Sequence, residues 1–454
     1  MSKSIETIVA QVTAAGRSGV GIIRVSGPKV REISQAIIGT IPDARMAHYT
    51  AFLDQNKNII DMGLALFFPQ PHSFTGEDVI EFQGHGGAIV LNQLLQSIIH
   101  FGARMARPGE FSERAFLNDK IDLTQAEAIA DLIDASTTQA AQAAIRSLQG
   151  EFSQKIRELV DHLIDLRTYI EAAIDFPDEE IDFLSRYHTK DKLKELLIQI
   201  EHIQSSAKQG VLLRDGLNIV IAGKPNAGKS SLLNRLSGRE SAIVTDIPGT
   251  TRDILRESIH IDGIPLHIID TAGLQETADR VEQEGIKRAK NAISNADHIL
   301  LVIDNQTVAD INPQQLWQEI LIEIPNPKKL TIILNKIDLS GATAKIEKIN
   351  NFVVIQLSAM TGIGIDFLRN HLKSCAGYQP DSEGTFSART RHLDALSRAQ
   401  RAIEQGLEQL QNYHAAELLA EELRQAQLIL SEITGDFSSD DLLGKIFSSF
   451  CIGK

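Results

Sequence analysis

The sequence predicts three folded parts: an α+β N-terminal domain, an all-α helical domain split in sequence, and an α/β domain inserted between its halves. Three observations lead there. Short apolar strands and helices are mixed up to about residue 117. Helical periodicity with almost no β signal fills residues 122–214 and returns over 390–434. Between those stretches apolar strands alternate with helices, and one strand runs through a glycine-rich loop into a helix. The boundaries are then 1–118 for the N-terminal domain, 119–214 and 377–454 for the helical parts, and 215–376 for the insertion. Two separate helical domains are the alternative.

In the first part, residues 7–12 and 20–25 read as strands around a glycine-containing turn, and 30–38 as a helix. Residues 64–68 and 79–83 are strands. His85, Gly86 and Gly87 form a turn into a helix over 88–100. His72 and His85 lack metal-ligand spacing and read as turn or pocket hydrogen-bonders. Turn-rich residues 106–111 lead out. Thr124 and Glu127 make a capping box that starts the helical part. A second helix covers 152–174 and a third 190–207, joined by an acidic, solvated loop over 175–180.

Inside the insertion, residues 218–222 are a buried strand and 231–236 open a helix. Residues 258–261 and 264–269 form a hairpin on the two-residue turn Asp262-Gly263. Residues 299–303, 330–334 and 352–357 are further strands, giving a doubly wound sheet with one antiparallel edge.

The loop after the first of these strands is Gly223-Lys224-Pro225-Asn226-Ala227-Gly228-Lys229-Ser230, the G-x-x-x-x-G-K-[ST] pattern. Its glycines let backbone N–H groups turn inward on phosphate oxygens. Lys229 reaches the β- and γ-phosphates, Ser230 ligates Mg²⁺, and the helix N-terminus favours an anion. Asp270, Thr271, Ala272 and Gly273 close another strand, placing a carboxylate near Mg²⁺ and an N–H near the γ-phosphate. Asn335, Lys336, Ile337 and Asp338 follow a third. The Asp338 carboxylate accepts from guanine N1–H and the 2-amino group together, which adenine cannot offer. Ser358, Ala359 and Met360 follow a fourth and present a backbone N–H to the guanine 6-oxygen. All four stretches sit at strand C-termini, where α/β sheets bind ligands. The insertion is therefore a Ras-like G domain binding GTP.

The chain has 454 residues, enough for about two to four domains. Two cysteines, Cys375 and Cys451, exclude a disulfide scaffold and suggest a reducing compartment. Cys375 reads as a buried helix residue. No apolar run reaches membrane-spanning length and no secretion signal opens the chain, so a cytoplasmic protein with no membrane association is expected. A net charge of −14 argues against broad, charge-driven nucleic-acid binding, though not against a local basic patch.

With these motifs in hand, the chain resembles the MnmE (TrmE) family of tRNA-modification GTPases, within the TrmE-Era-EngA-like superfamily, over essentially its whole length. The likeness rests on the GTP motifs, on Gly16-Arg17 and Arg24-Val25-Ser26-Gly27, and on HSFTGEDVIEFQGHGG from His72. It also rests on ARPGEFSERAFLNDKIDLTQAEA from Ala106 and on Cys451-Ile452-Gly453-Lys454. The resemblance implies a folate-binding, homodimerising N-terminal domain and a heterotetramer with the FAD-dependent protein MnmG. It implies addition of a carboxymethylaminomethyl or aminomethyl group at C5 of the wobble uridine of certain tRNAs, with a tetrahydrofolate one-carbon unit.

Carried onto this sequence, the family pattern implies GTP and Mg²⁺ contacts at Asn226, Ala227, Gly228, Lys229, Ser230 and Ser231. It implies others at Thr245, Asp246, Ile247, Pro248, Gly249, Thr250 and Thr251, at Asp270 through Gly273, at Asn335, Lys336 and Asp338, and at Ser358, Ala359 and Met360. Ser230 and Thr251 match Mg²⁺ ligands; Asn226, Thr245, Ile247 and Thr250 match a K⁺ site. Arg24, Glu81, Lys120 and Lys454 match positions that bind 5-formyl-tetrahydrofolate.

Leu274 stands where small Ras-like GTPases carry the glutamine that orients water, and no arginine finger is evident. K⁺ beside Asn226 supplies the missing positive charge in this reading, and the resemblance assigns water orientation to Glu282. Cys451 lies three residues from Lys454, which favours its thiolate; nucleophile, redox group and folate-pocket element all remain open. The residues 447–454 are apolar enough to dock, with Phe447 and Phe450 as anchors. Two other classes are a GTP-switched ribosome-assembly protein without covalent chemistry and a folate-dependent one-carbon transferase with a regulatory GTPase.

Overall fold

The computed structural model describes residues 6–175, 189–237, 256–270, 293–307, 329–349, 352–378, 384–413, 415–436, 440–448, 450–451 and 453. In chain order the N-terminal elements are β1 (Ile8–Gln11), β2 (Ser18–Ser26), α1 (Val30–Ile38), β3 (His48–Leu53), β4 (Ile59–Phe68), β5 (Val79–Gly86), α2 (Ala88–His100), β6 (Arg104–Met105) and α3 (Glu110–Leu117). Their six strands form one sheet in the order β3-β4-β5-β2-β1-β6, antiparallel except for β1 on β6. Ile23 and Val25 of β2 alternate with half-buried neighbours, as a strand with one covered face requires. They meet Ile33 and Ile37 of α1 and Leu94 and Ile98 of α2 in one core. Each such fully buried side chain contributes roughly 1.5–3 kcal/mol. The expected turn at His85-Gly86-Gly87 is corrected: β5 runs through Gly86, because Gly86 still pairs with Ser18 of β2. Strand β3 was not anticipated, since its burial pattern shows little alternation.

Four long helices follow: α4 (Leu123–Asp134), α5 (Thr138–Leu148), α6 (Glu151–Asp175) and α7 (Thr189–Asp215). The cap of α4 also differs from expectation. Asp122 Oδ1 accepts from the Gln125 amide at 3.0 Å, and Gln125 Oε1 accepts from the Asp122 amide at 3.0 Å. The reciprocal box is thus Asp122 with Gln125, two residues earlier than Thr124 with Glu127; Thr124 donates to the same Asp122 carboxylate at 2.7 Å. Helix α7 outlasts the expected 207 and ends only before Gly216, where left-handed backbone stops it. The acidic 175–180 loop lies outside the described residues apart from Asp175.

The insertion contains β7 (Leu217–Ala222), α8 (Lys229–Ser237), β8 (Arg256–Ile261), β9 (Ile264–Asp270), β10 (His298–Asp304), β11 (Leu330–Asn335), α9 (Ile337–Ser340), β12 (Lys345–Ile349), β13 (Phe352–Gln356) and α10 (Ile365–Ala376). Helices α11 (Thr390–Tyr413), α12 (Ala416–Thr434) and α13 (Asp440–Ser448) complete the described chain, and α12 packs along α6. The sheet order is β12-β13-β11-β10-β7-β9-β8. Its five inner strands are parallel, and both edges are antiparallel, β8 on β9 and β12 on β13. One edge was expected; β12, with its charged Lys345, Glu347 and Lys348, does not read as a strand. Period-2 alternation splits the core: Ile219 and Ile221 face α8 and α10, while Val220 and Ala222 join the opposite layer with Ile293 and Ile332. The hairpin turn has positive φ at Asp262 and Gly263, the mirror-image turn that strand twist favours.

The chain divides into two compact units. One comprises Met1–Ala130, Ser147–Ile200 and Asp394–Lys454; the other comprises Asp131–Arg146 and Glu201–Leu393. Among the described residues no helix is long and apolar enough to cross a membrane.

Candidate functional site

The glycine-rich loop leaves the C-terminal end of β7, the point where strand order reverses between β9 and β10. Asn226 and Gly228 both have positive φ, at 62° and 95°. A Cβ on Gly228 would lie 2.2 Å from Asn335 Nδ2, so only glycine fits there. Lys229, only 6% exposed, donates from Nζ to the carbonyls of Gly223 at 2.9 Å and Lys224 at 3.0 Å. The loop thus wraps its own ammonium, which stands where phosphate oxygens would. Ser230 and Ser231 are exposed at the start of α8. This curled, cationic, glycine-lined loop at a helix N-terminus fits a nucleotide phosphate chain.

Asn335 is the residue whose role the sequence did not reveal. It is 2% exposed at the end of β11. Its Nδ2 donates to Ala227 O at 2.9 Å, and its Oδ1 accepts from the Ala359 N–H at 2.9 Å. One side chain therefore clasps the phosphate loop to the Ser358-Ala359-Met360 loop. Arg235, which belongs to no motif, donates to Ala359 O at 3.1 Å and to Met360 O. The Ser358 amide donates to Ile363 O at 2.9 Å. The amides of Ser358 and Ala359 are thus both engaged, whereas among the described residues the Met360 N–H has none of these partners. Met360 is 77% exposed.

Lys336 has positive φ and its Nζ meets Asp304 Oδ2 at 2.7 Å, which holds the Asp304 carboxyl below its usual range. Asp304 closes β10, so this ion pair ties two strand ends together; an acid at the end of an apolar strand was the available signal. Asp338 is exposed in α9. Asp270 ends β9 opposite Ile221. Thr245, Asp246, Ile247, Pro248, Gly249, Thr250, Thr251, Thr271, Ala272, Gly273 and Glu282 lie outside the described residues.

In the other unit Arg24 and Glu81 are register partners on β2 and β5 and form an ion pair at 2.8 Å. The guanidinium carbon sits 5.6 Å from the Phe74 ring centroid and 5.7 Å from that of Phe111. Lys120 is exposed and lays its stem against Gly76, two residues from Phe74. His85 Nδ1 bonds Asp61 at 2.8 Å, from within β5 and not from a turn. An arginine and a glutamate beside two aromatic rings fit a flat heterocycle with donors and acceptors. Arg24 is already compensated by Glu81, however, and is not a spare cation.

The C-terminal segment docks on this same unit. Phe447 and Phe450 are buried with Leu123, Ala126 and Ile446. The Gly109 amide donates to Cys451 O at 3.3 Å, and Gly109 has a left-handed φ of 67°. A Cβ there would lie 2.3 Å from Phe447 O. Gly453 is buried against the backbone of Gln11 and Val12 in β1 and just beyond it. Ala10, next to Gln11, is the register partner of Arg24. Cys451 is exposed. Lys454 lies outside the described residues.

Cys375 corrects an expectation: it is exposed, not buried, on α10. Its Sγ lies 3.4 Å from His371 Nε2 and 3.9 Å from His298 Nε2. Burial, with His371 and Lys329 nearby, holds His298 down at about 4, and burial lowers His371 too.

Comparison with known proteins gives matches over nearly the whole chain. Residues 7–120 match the family described as the GTP-binding protein TrmE N-terminus, and residues 123–451 match the MnmE helical domain. The second match runs across the inserted domain. The tRNA modification GTPase MnmE of Pasteurella multocida (strain Pm70) is 59% identical over 450 residues, covering 99% of this chain and 100% of that protein. That of Proteus mirabilis (strain HI4320) is 58% identical over 452 residues, again 99% and 100%. Among solved structures, the G domain of the T. maritima FeoB iron transporter is 27% identical, covers 35% of this chain and 98% of its own, and has a TM-score of 0.25.

Proposed function

Since the chain belongs to the MnmE, or TrmE, family of tRNA-modification GTPases, we propose that it hydrolyses GTP to drive modification of the wobble uridine of certain tRNAs. Its partner is an FAD-dependent MnmG subunit in a heterotetramer built on a homodimer in the cytoplasm. The group added at C5 is carboxymethylaminomethyl or aminomethyl, its one-carbon unit coming from 5-formyl-tetrahydrofolate. The domains run 1–118, 119–214, 215–376 and 377–454.

The observation that carries the reading is the Asn335 clasp, because it joins the phosphate loop to the base-side loop. Lys229 exchanges its two carbonyl partners for phosphate oxygens. Asp338 accepts from the guanine edge, and the uncommitted Met360 amide donates to the 6-oxygen. Ser230 and Thr251 would hold Mg²⁺, which would neutralise charge on the phosphates. Asn226, Thr245, Ile247 and Thr250 would supply oxygens for K⁺, which would add positive charge. Glu282 orients the attacking water. In the N-terminal unit Phe74 and Phe111 flank the pterin while Glu81 accepts from it, with Lys120 and Lys454 as the cations for the glutamyl carboxylates. The docked tail holds Cys451 near this pocket.

Mass analysis of tRNA nucleosides tests the reading. A deletion strain should lose the wobble modification and recover it with the wild-type gene. Cys451→Ser should preserve GTP turnover and fail to restore the nucleoside. Full tRNA modification in the deletion strain itself would refute the proposal.

A further inference from the structure

At the opposite end of the G-domain strands three metal-ligating side chains converge. His298 is the first residue of β10, whereas Asp304, beside the nucleotide loops, is the last. That strand is about 20 Å long, so the two places are separate. His371 and Cys375 stand one helical turn apart on α10, hence on one face. One ring nitrogen of His298, one of His371 and Cys375 Sγ all lie within 4.8 Å of one another.

We propose that His298, His371 and Cys375 form a binding site for one Zn²⁺ ion, which no part of the GTPase reading uses. Zinc takes nitrogen at about 2.0–2.1 Å and thiolate sulfur at about 2.3 Å, so a tetrahedral site needs nitrogen–sulfur edges of roughly 3.6 Å. The two edges here are 3.4 and 3.9 Å. Both nitrogen–sulfur edges thus lie within a few tenths of an ångström of the required length, and the nitrogen–nitrogen edge is within 4.8 Å. Two imidazoles and one thiolate are the donor set that suits zinc over magnesium or calcium.

One hydroxyl reaches the ligating nitrogen of both imidazoles. Thr331 Oγ1 on β11 contacts His298 Nε2 at 2.8 Å and His371 Nε2 at 2.7 Å. It holds both reactive nitrogens toward a common point. The ion replaces these contacts with Zn–N bonds to neutral rings. The burial gradient gives a route in: His298 is buried, His371 half-buried and Cys375 exposed. The Cys375 thiol loses its proton to solvent as the Zn–S bond forms. No electrons are transferred, and the fourth position, on the open side, takes water. The bound ion pins α10 to the start of β10.

Co²⁺ is the probe, because it occupies zinc sites and is coloured. Full-length protein, stripped by a chelator, reduced and free of nucleotide, is titrated with Co²⁺. A thiolate-to-cobalt charge-transfer band should grow to one equivalent per chain and be bleached by Zn²⁺. The chain's other thiol, Cys451, makes the assignment decisive. Cys375→Ser should abolish the band and Cys451→Ser should leave it. His371→Ala should weaken Co²⁺ affinity at least tenfold. Cys375 is exposed, so its substitution leaves the fold intact, which circular dichroism verifies. Absence of the band in wild type, its survival in Cys375→Ser, or saturation at half an equivalent would overturn the proposal. Half an equivalent would mean ligands shared between two chains.

Discussion

Replacing Asn335 by alanine should disable the nucleotide site by loosening the two loops that flank it. The side chain is 2% exposed and makes two hydrogen bonds of 2.9 Å, to Ala227 O and from Ala359 N–H. Each neutral bond contributes about 0.5–1.5 kcal/mol net, and each buried partner left orphaned costs about 1–3 kcal/mol. Both orphans are backbone groups fixed by their loops, and a water admitted to the vacated space offsets part of the loss. The expected cost of holding the two loops in register is therefore about 2–4 kcal/mol. Tenfold in affinity is about 1.4 kcal/mol, so GTP binding should weaken roughly 30- to 700-fold. The assay is direct titration with a fluorescent GTP analogue, paired with hydrogen exchange in nucleotide-free protein. The Ala359 amide should exchange much faster in Asn335→Ala, which a residue acting only on bound nucleotide would not cause. GTP affinity within threefold of wild type together with unchanged exchange at Ala359 would refute the clasp.

Asp338→Asn should weaken GTP binding and admit xanthosine triphosphate, because the amide offers a donor to the 2-oxo group; unchanged GTP affinity would remove Asp338 from the base site. GTP turnover should be several-fold higher in K⁺ than in Na⁺ at equal ionic strength, and equal rates would exclude a selective K⁺ site. Gly109→Ala should release residues 447–453, since its Cβ meets Phe447 O and its φ is left-handed; protease cleavage there should accelerate, and wild-type resistance would show that the backbone accommodates the methyl group. Burial raises Glu110, but the Arg104 guanidinium, the Arg107 amide and Arg114 outweigh it and hold the carboxyl at about 2 against 4.5. A depressed folded value means stability that is present above pH 4.5 and lost as pH falls toward about 2, worth about 3 kcal/mol; Glu110→Gln should flatten the acid limb of N-terminal unfolding followed by tryptophan-independent circular dichroism.

Helices α1 and α2 match the periodicity reading residue for residue, because each has one apolar stripe facing one sheet. The phosphate loop was equally legible, since its glycine spacing states a backbone requirement. What escaped is of a different kind. Strand β12 is an edge with charged side chains, and its pairing with β13 rests on backbone bonds that leave no apolar pattern. The Asp122 cap was hidden by a competing Thr124-to-Glu127 match in the same turn. Asn335 was recognised as a motif residue, yet its two partners are backbone atoms from loops more than a hundred residues and some twenty residues away, which no spacing encodes. Likewise the convergence of His298 on His371 and Cys375 is a product of sheet order, because β10 and α10 meet only once the fold is built.

The seat of Gly453 against Gln11 also orders events during synthesis. The strand that carries Gln11 leaves the ribosome long before residues 447–453 exist, since translation proceeds at about 5–20 residues per second. Until then the face at Gly109 that later receives Phe447 and Phe450 is uncovered apolar surface on a nascent chain. A message broken between the codons for Gly377 and Phe447 would still encode the phosphate loop and the Asn335 clasp. Its product would be a nucleotide binder whose first domain can never be closed, a species that quality control can recognise by that bare surface.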